Sequence, residues 1–196
     1  MPGFNADLAY QLELLSDILR RNEELYEIIK RACNAGLQNC YVAAGCITQT
    51  VWNYQVGNEL MHGISDIDIV YYDSSDLSYD AENTAIQKIA DVIGPCKIEL
   101  DIKNQARVHL WFKERFGYEI KPYDSVESAI SSWPATASSI GVRLENEQLK
   151  VYAPFGLNDL FGMIIRANKA QVTEEIYKQK AHKWSAKWPS LTVMPW

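Results

Sequence analysis

Apolar and polar positions follow two different periods along this chain, and the switches between them mark its elements. Residues 7 to 33 carry Leu8, Leu12, Leu15, Ile18, Leu19, Leu25, Ile28 and Ile29 at helical spacing with one or two breaks. That pattern predicts two helices, or one bent helix, covering a sheet. NCYVAAG (39–45) reads as a short buried strand ending at Gly45, and a helix is expected from Ile47 to about Val56, where Gly57-Asn58 supplies a stop. A second strand is expected over Asp66 to Tyr72 and a helix over about Tyr79 to Val92, closed by Gly94-Pro95. CKIELDIK (96–103) alternates strictly, with Ile98, Leu100 and Ile102 on one face and Lys97, Glu99, Asp101 and Lys103 on the other.

Downstream, residues 125 to 133 read as helix and GVRLENEQLKVYAP (141–154) as a β-hairpin turning near Glu145 to Gln148. A helix is expected from Asn158 to about Arg166, and a last one from about Thr173 to Lys187, ending before Pro189. The tail WPSLTVMPW is expected to pack back through Trp188, Leu191 and Trp196. No linker divides the chain, which predicts one domain over 1–196: N-terminal helices (1–38), a core (39–112) and a C-terminal extension (113–196).

One detail of the second strand departs from this pattern of burial. Asp66 and Asp68 alternate with Ile67 and Ile69, so both carboxylates project from one face. At ~4 Å, two like charges repel by roughly 4 kcal/mol at an effective dielectric of 20. The pair therefore needs a proton, a basic side chain or a metal ion. A third carboxylate, Asp101 or its neighbour Glu99, lies on the charged face of the next strand. Three such groups at one edge can hold one or two Mg²⁺ ions, which favour oxygen ligands and keep water and substrate phosphates in their shell. Upstream, the order strand, glycine, helix suits a phosphate, because the helix start offers free N–H groups.

Composition narrows the partners. The chain has 19 basic and 25 acidic residues and a formal net charge of −6, which works against tight binding of a long nucleic acid and favours a small substrate. No stretch approaches the ~20 apolar residues of a membrane span, and the N-terminus lacks the basic and apolar segments of a secretory signal. The four cysteines form no C-x-x-C pair, which argues against structural zinc and fits a reduced, cytoplasmic protein.

The ordered series Gly45-Cys46, Asp66-x-Asp68, Asp101 resembles the catalytic pattern of the DNA polymerase β-type nucleotidyltransferase superfamily. Within it the chain is similar to a bacterial and fungal family of largely uncharacterised nucleotidyltransferase-like proteins. The stretches AAGCITQTVWN, SDIDIVYYD, KNQARVHLWF, FGYEIKPYDSVESAISSWPATASSIGVRLE and APFGLNDLFGMIIRAN, with the ending KWPSLTVMPW, carry that similarity. It implies an α/β fold with a mixed sheet flanked by helices, extended by a C-terminal hairpin and helices. It also implies a metal-dependent enzyme using Mg²⁺ or Mn²⁺ to move a nucleoside monophosphate from a nucleoside triphosphate to a small acceptor, releasing pyrophosphate. Asp66, Asp68 and Asp101 match the metal-binding and catalytic carboxylates. Gly45 matches the glycine that lets phosphates approach, and Cys46 stands where serine or glycine is more usual. Ser65, Lys103, Asn104 and Arg107 complete the candidate nucleotide-binding set, the last two within a block that includes Gln105 and His109.

Each of these residues has a plainer reading. Lys97 and Lys103 can neutralise the strand acids, Arg107 can pair with an acid or lie over a ring, and Asn104 can cap a helix starting at Gln105. Cys46 can be a small buried side chain, and the tryptophans Trp52, Trp111, Trp133, Trp184 and Trp188 can be core rather than stacking platforms. Two competing functions use the same features: a glycosyltransferase holding a nucleotide diphosphate through D-x-D, and a non-catalytic protein of the same fold that binds nucleotide or protein.

Overall fold

The computed structural model describes residues 1–37 and 39–196. Asp7 accepts from the backbone N–H of Tyr10 and starts α1 (Leu8–Arg21). Asn22 then breaks the run of helical spacing: its side chain accepts from Leu25 N–H, capping α2 (Glu23–Asn34), and donates to Thr50 Oγ1 at 3.0 Å. The chain continues as β1 (Tyr41–Ala43), α3 (Gly45–Val56), β2 (Asp66–Tyr71), α4 (Tyr79–Ile93) and β3 (Glu99–Asn104). A 3₁₀ turn at Gln105–Arg107 leads into α5 (Val108–Phe116), followed by α6 (Val126–Ser131) and a second 3₁₀ turn at Thr136–Ser138. The C-terminal part holds β4 (Gly141–Glu145), β5 (Gln148–Tyr152), α7 (Asn158–Phe161), β6 (Ile164–Ile165), α8 (Glu174–Lys187) and β7 (Thr192–Val193).

Five strands form a mixed sheet in the order β3-β2-β1-β4-β5. β2 and β3 run parallel, with Asp66 opposite Glu99 and Asp68 opposite Asp101, while the other pairs are antiparallel. The parallel pair is joined through α4, as a crossover requires. Ile67, Ile69, Tyr71 and Ile102 point to the face covered by α1 to α4, where Leu15, Ile18, Leu25, Ile28, Val51 and Ile89 complete the main core. On the opposite face, Tyr41, Ala43 and Val70 pack against Val126 and Ile130 of α6. Asp66, Asp68 and Asp101 project from this same second face, in register with one another.

A separate cluster joins the C-terminal elements to α3. Trp52 meets Trp184 and Trp188 edge-on, with ring centroids 5.2 and 5.7 Å apart. Both buried indole N–H groups are satisfied, Trp52 by the carbonyl of Leu160 and Trp188 by Asn53 Oδ1 at 2.8 Å. Asn53 also donates to the carbonyls of Leu60 and His62, so one buried amide fixes both the long 57–65 connection and the end of α8. Trp52, Trp184 and Trp188 are therefore core, and the tail packs back as its apolar residues predict.

Three expectations are corrected. Helix α3 begins at Gly45 rather than Ile47, because Ala44 makes the turn and the glycine is already helical. β3 begins at Glu99, since register with Asp66 leaves residues 96 to 98 without a partner strand. The helix expected over 158–166 stops after one turn. Gly162 follows it, Met163 takes φ 53°, and Ile164–Ile165 pair in parallel with Thr192–Val193 of the tail. Tertiary pairing with a distant segment overrides a helical pattern there. Asn158 does not cap α7; its Oδ1 accepts from Asn5 N–H and from Gln11 Nε2, tying down the N-terminal segment.

Candidate active site

Register brings the acids together. Asp66 and Asp68 share a face of β2, the parallel pairing sets Asp101 beside Asp68, and one oxygen from each of the three carboxylates lies within 4.8 Å of the others. Glu99 lies opposite Asp66 and is exposed, outside this group. Desolvation pushes the Asp68 carboxyl up to about 6, reinforced by the charges of Asp101 and Asp66 and partly offset by Lys180 and Lys103. Such a group costs free energy when ionised without a counter-cation. A cluster of three carboxylates, one of them desolvated, is a donor set of hard oxygens that fits a divalent cation of the Mg²⁺ or Mn²⁺ type.

Two lysines flank the acids. Lys103 pairs with the Asp101 carboxylate along β3, and Ser65 donates its hydroxyl to Asp66. Lys180 comes from α8, its ammonium 4.7 Å from the centre of the Trp184 ring. Desolvation lowers its pKa and the charge of Asp68 opposes that shift. Nothing in the helical periodicity of residues 173–187 singles out Lys180, and its position follows only from the folding back of α8.

The turn before α3 supplies the fourth element. Ala44 adopts φ 58° and ψ −126°, a conformation natural to glycine, held by its N–H to the Ile140 carbonyl and by Thr48 N–H and Oγ1 to its own carbonyl. The residue that needs glycine-like freedom is thus Ala44, not Gly45. Gly45 opens the helix, and the space where its Cβ would stand is approached by the Gln49 side chain. Cys46 is fully buried and its thiol donates to the Ala43 carbonyl, so the side chain is withdrawn from any ligand; burial raises its pKa. Only its backbone N–H, in the first turn of α3, faces the start of the helix.

Asn104 and Arg107 are drawn elsewhere. The Asn104 side chain is buried, accepting from Asp73 and Ala106 N–H and donating to the Asp73 carbonyl at 2.7 Å. Arg107 forms a part-buried ion pair with Glu82 and donates to the Leu77 carbonyl, with Tyr79 beneath its guanidinium. Glu82 also accepts from Asn104 N–H. These residues lock α4 and the loop after β2 onto β3, and neither side chain lies free beside the acids. His109 is partly buried with Nδ1 unpaired.

A cleft of about 340 Å³ starts at Ala44, Asp68, Lys103 and Lys180 and runs under α5 toward Trp111, Phe112, Tyr118, Tyr123 and Trp133. Trp111 is therefore a cleft residue, while Trp133 both lines the cleft and packs against the cluster of Tyr41, Val70, Val126 and Ile130. Among the described residues no helix is long and apolar enough to cross a membrane.

Comparison with known proteins agrees with this geometry. No curated protein matches the sequence. A solved structure described as an NMR structure revealing a CCA-adding enzyme head domain matches with a TM-score of 0.75 and 22% identity, covering 99% of this chain and 100% of that one. The fold is thus that of a nucleotidyltransferase head domain, a mixed α/β arrangement as the sequence predicts. A family model described as Nucleotidyltransferase matches residues 30–193, which takes in the sheet, the acids, the cleft and Lys180. The chain belongs to the nucleotidyltransferase family.

Proposed function

We propose that the protein transfers a nucleoside monophosphate from a nucleoside triphosphate to a small acceptor, with release of pyrophosphate, in a reaction dependent on Mg²⁺ or Mn²⁺. The observation that carries this reading is the convergence of Asp66, Asp68 and Asp101 within 4.8 Å, beside a helix start, in a chain of this family. Asp66 and Asp68 would hold the metal and Asp101 would complete its shell. Once bound, the metal supplies charge neutralisation at the phosphates and at the oxygens that attack and leave.

The chain's own groups do the remainder. The first-turn N–H groups of α3, from Gly45 onward, meet the anionic phosphates with the positive end of the helix dipole. Lys103 and Lys180 line the cleft with Asp68 and add positive charge where negative charge grows as the α-phosphate passes to the acceptor. Attack by the acceptor's hydroxyl or amine on the α-phosphorus forms the new bond, and the bond to pyrophosphate breaks. The proton released by the acceptor passes to the carboxylate of Asp101, whose charge Lys103 balances. Ser65 holds the Asp66 carboxylate in one orientation.

The test is pyrophosphate release from each of the four nucleoside triphosphates, with Mg²⁺ or Mn²⁺, across a panel of small hydroxyl and amine acceptors. Release that needs an acceptor and is lost in Asp101→Asn supports the reading. Release by no pair in the panel, despite metal-dependent triphosphate binding, counts against transfer.

A further inference from the structure

Helix α5 is built unlike the other long helices. Its sequence VHLWFKERF carries three aromatic residues, yet Val108 is its single buried residue. Phe112 is tilted against Phe116 with centroids 4.5 Å apart, stacks with Trp111 at 6.2 Å and meets Tyr118 edge-on at 5.3 Å, while Arg115 lies over both Trp111 and Phe116. These rings form one wall of the cleft, and Trp133 and Tyr123 belong to the same cleft. Large apolar surface left partly in water is unfavourable for a free protein and marks a place where something binds.

Four of the polar residues of this compartment are already engaged with one another, and Gln105 and Arg115 also line it. Tyr118 donates its hydroxyl to the Gln171 carbonyl at 2.6 Å, the Gln171 amide donates to Tyr123 Oη at 2.8 Å, and Tyr123 shares a hydrogen bond with Ser132 at 2.8 Å. The same cleft is continuous with Asp68, Lys103, Lys180 and the turn at Ala44, and its volume lies within the ~300–1,000 Å³ usual for small-molecule sites.

We infer that the aromatic compartment beneath α5 is the nucleobase subsite, that Trp111 is its principal stacking surface, and that it reads the base by ring area rather than by hydrogen bonds to its edge. This rests on the proposed binding of a metal-bound triphosphate at the carboxylates. A planar ring is the occupant that aromatic walls favour, and a triphosphate at the carboxylates carries one on its other end. With Tyr118, Gln171, Tyr123 and Ser132 bonded to one another, Gln105 and Arg115 are the polar side chains left beside the aromatic walls, few against the ring area those walls offer. Purines, with the larger ring system, therefore bind above pyrimidines, and ATP and GTP bind alike.

The experiment is calorimetric titration of ATP, GTP, CTP, UTP and inorganic tripolyphosphate, each with Mg²⁺, into the wild-type protein, Trp111→Ala and Trp111→Phe. ATP is expected to bind wild type about tenfold or more tighter than tripolyphosphate, with Trp111→Ala removing that advantage and Trp111→Phe keeping most of it. Tripolyphosphate binding is expected to be the same in all three proteins, which also reports that the variants are folded. Equal affinity for ATP and tripolyphosphate, unchanged ATP binding in Trp111→Ala, or a preference for one pyrimidine would each overturn the inference. Failure of tripolyphosphate itself to bind wild type would instead remove the metal-triphosphate site, and this subsite with it.

Discussion

At the scale of single residues, two positions show local stability set against site geometry. Ala44 holds a glycine-like backbone conformation immediately before α3, a strain of order 1–3 kcal/mol for a residue with a Cβ. Ala44→Gly is expected to raise stability by about 1 kcal/mol in urea unfolding, since relief of strain exceeds the added entropy of the unfolded chain. Unchanged or lower stability would show that the turn is comfortable for alanine. Asp68 is the second position. Its carboxyl titrates near 6 in the folded protein because burial, then Asp101 and Asp66, disfavour the charge. Its pKa is raised on folding, so the stabilising contribution is present below the unfolded value and is lost as pH rises from about 4 through 6. In metal-free protein, Asp68→Asn is therefore expected to add up to roughly 3 kcal/mol at pH 7.5 and little at pH 4. Thermal unfolding at the two pH values checks this, and an equal effect at both would show that charge is not the cause.

At the scale of elements, much of the arrangement was legible. Strict alternation in residues 96–103 and the D-I-D-I start of residues 66–72 identified two strands with acidic positions on one face, and side-chain period alone set Asp66 beside Asp68. That Asp101 rather than Glu99 joins them depends on strand register, which the pattern narrows but pairing decides. The block Asn104–His109 entered through the family resemblance, and the structure explains Asn104 and Arg107 as fastenings between β3, α4 and the loop after β2. Arg107→Ala is accordingly expected to destabilise the protein by roughly 2–3 kcal/mol, less than breaking a fully buried pair, because it leaves the part-buried Glu82 carboxylate without its cation. Glu82→Gln should soften that loss in the double variant, a coupling a double-mutant cycle measures. Triphosphate affinity at a temperature where Arg107→Ala is folded should match wild type; a selective loss of affinity would return Arg107 to the phosphate site.

At the scale of the whole molecule, the site is assembled from segments far apart in sequence: the turn before α3, the parallel pair β2 and β3, α5 and α8. The sheet contributions carry local signals, glycine and alternating aspartates, and could be read. Lys180 could not, because its place depends on the Trp52, Trp184 and Trp188 cluster and on Asn53, which seat α8 against α3. The aromatic residues of α5 were equally ambiguous, since stacking surface and core share the same composition.

The central claim is that the three aspartates form one metal-dependent triphosphate site, and the most direct measurement is calorimetric titration of ATP with and without Mg²⁺ into wild type and a folded Asp66→Asn/Asp68→Asn variant. The account predicts binding to wild type that requires the metal and is reduced by about a hundredfold or more in the variant, as expected when charged metal ligands are removed. Equal binding by both proteins, or binding indifferent to metal, would contradict it.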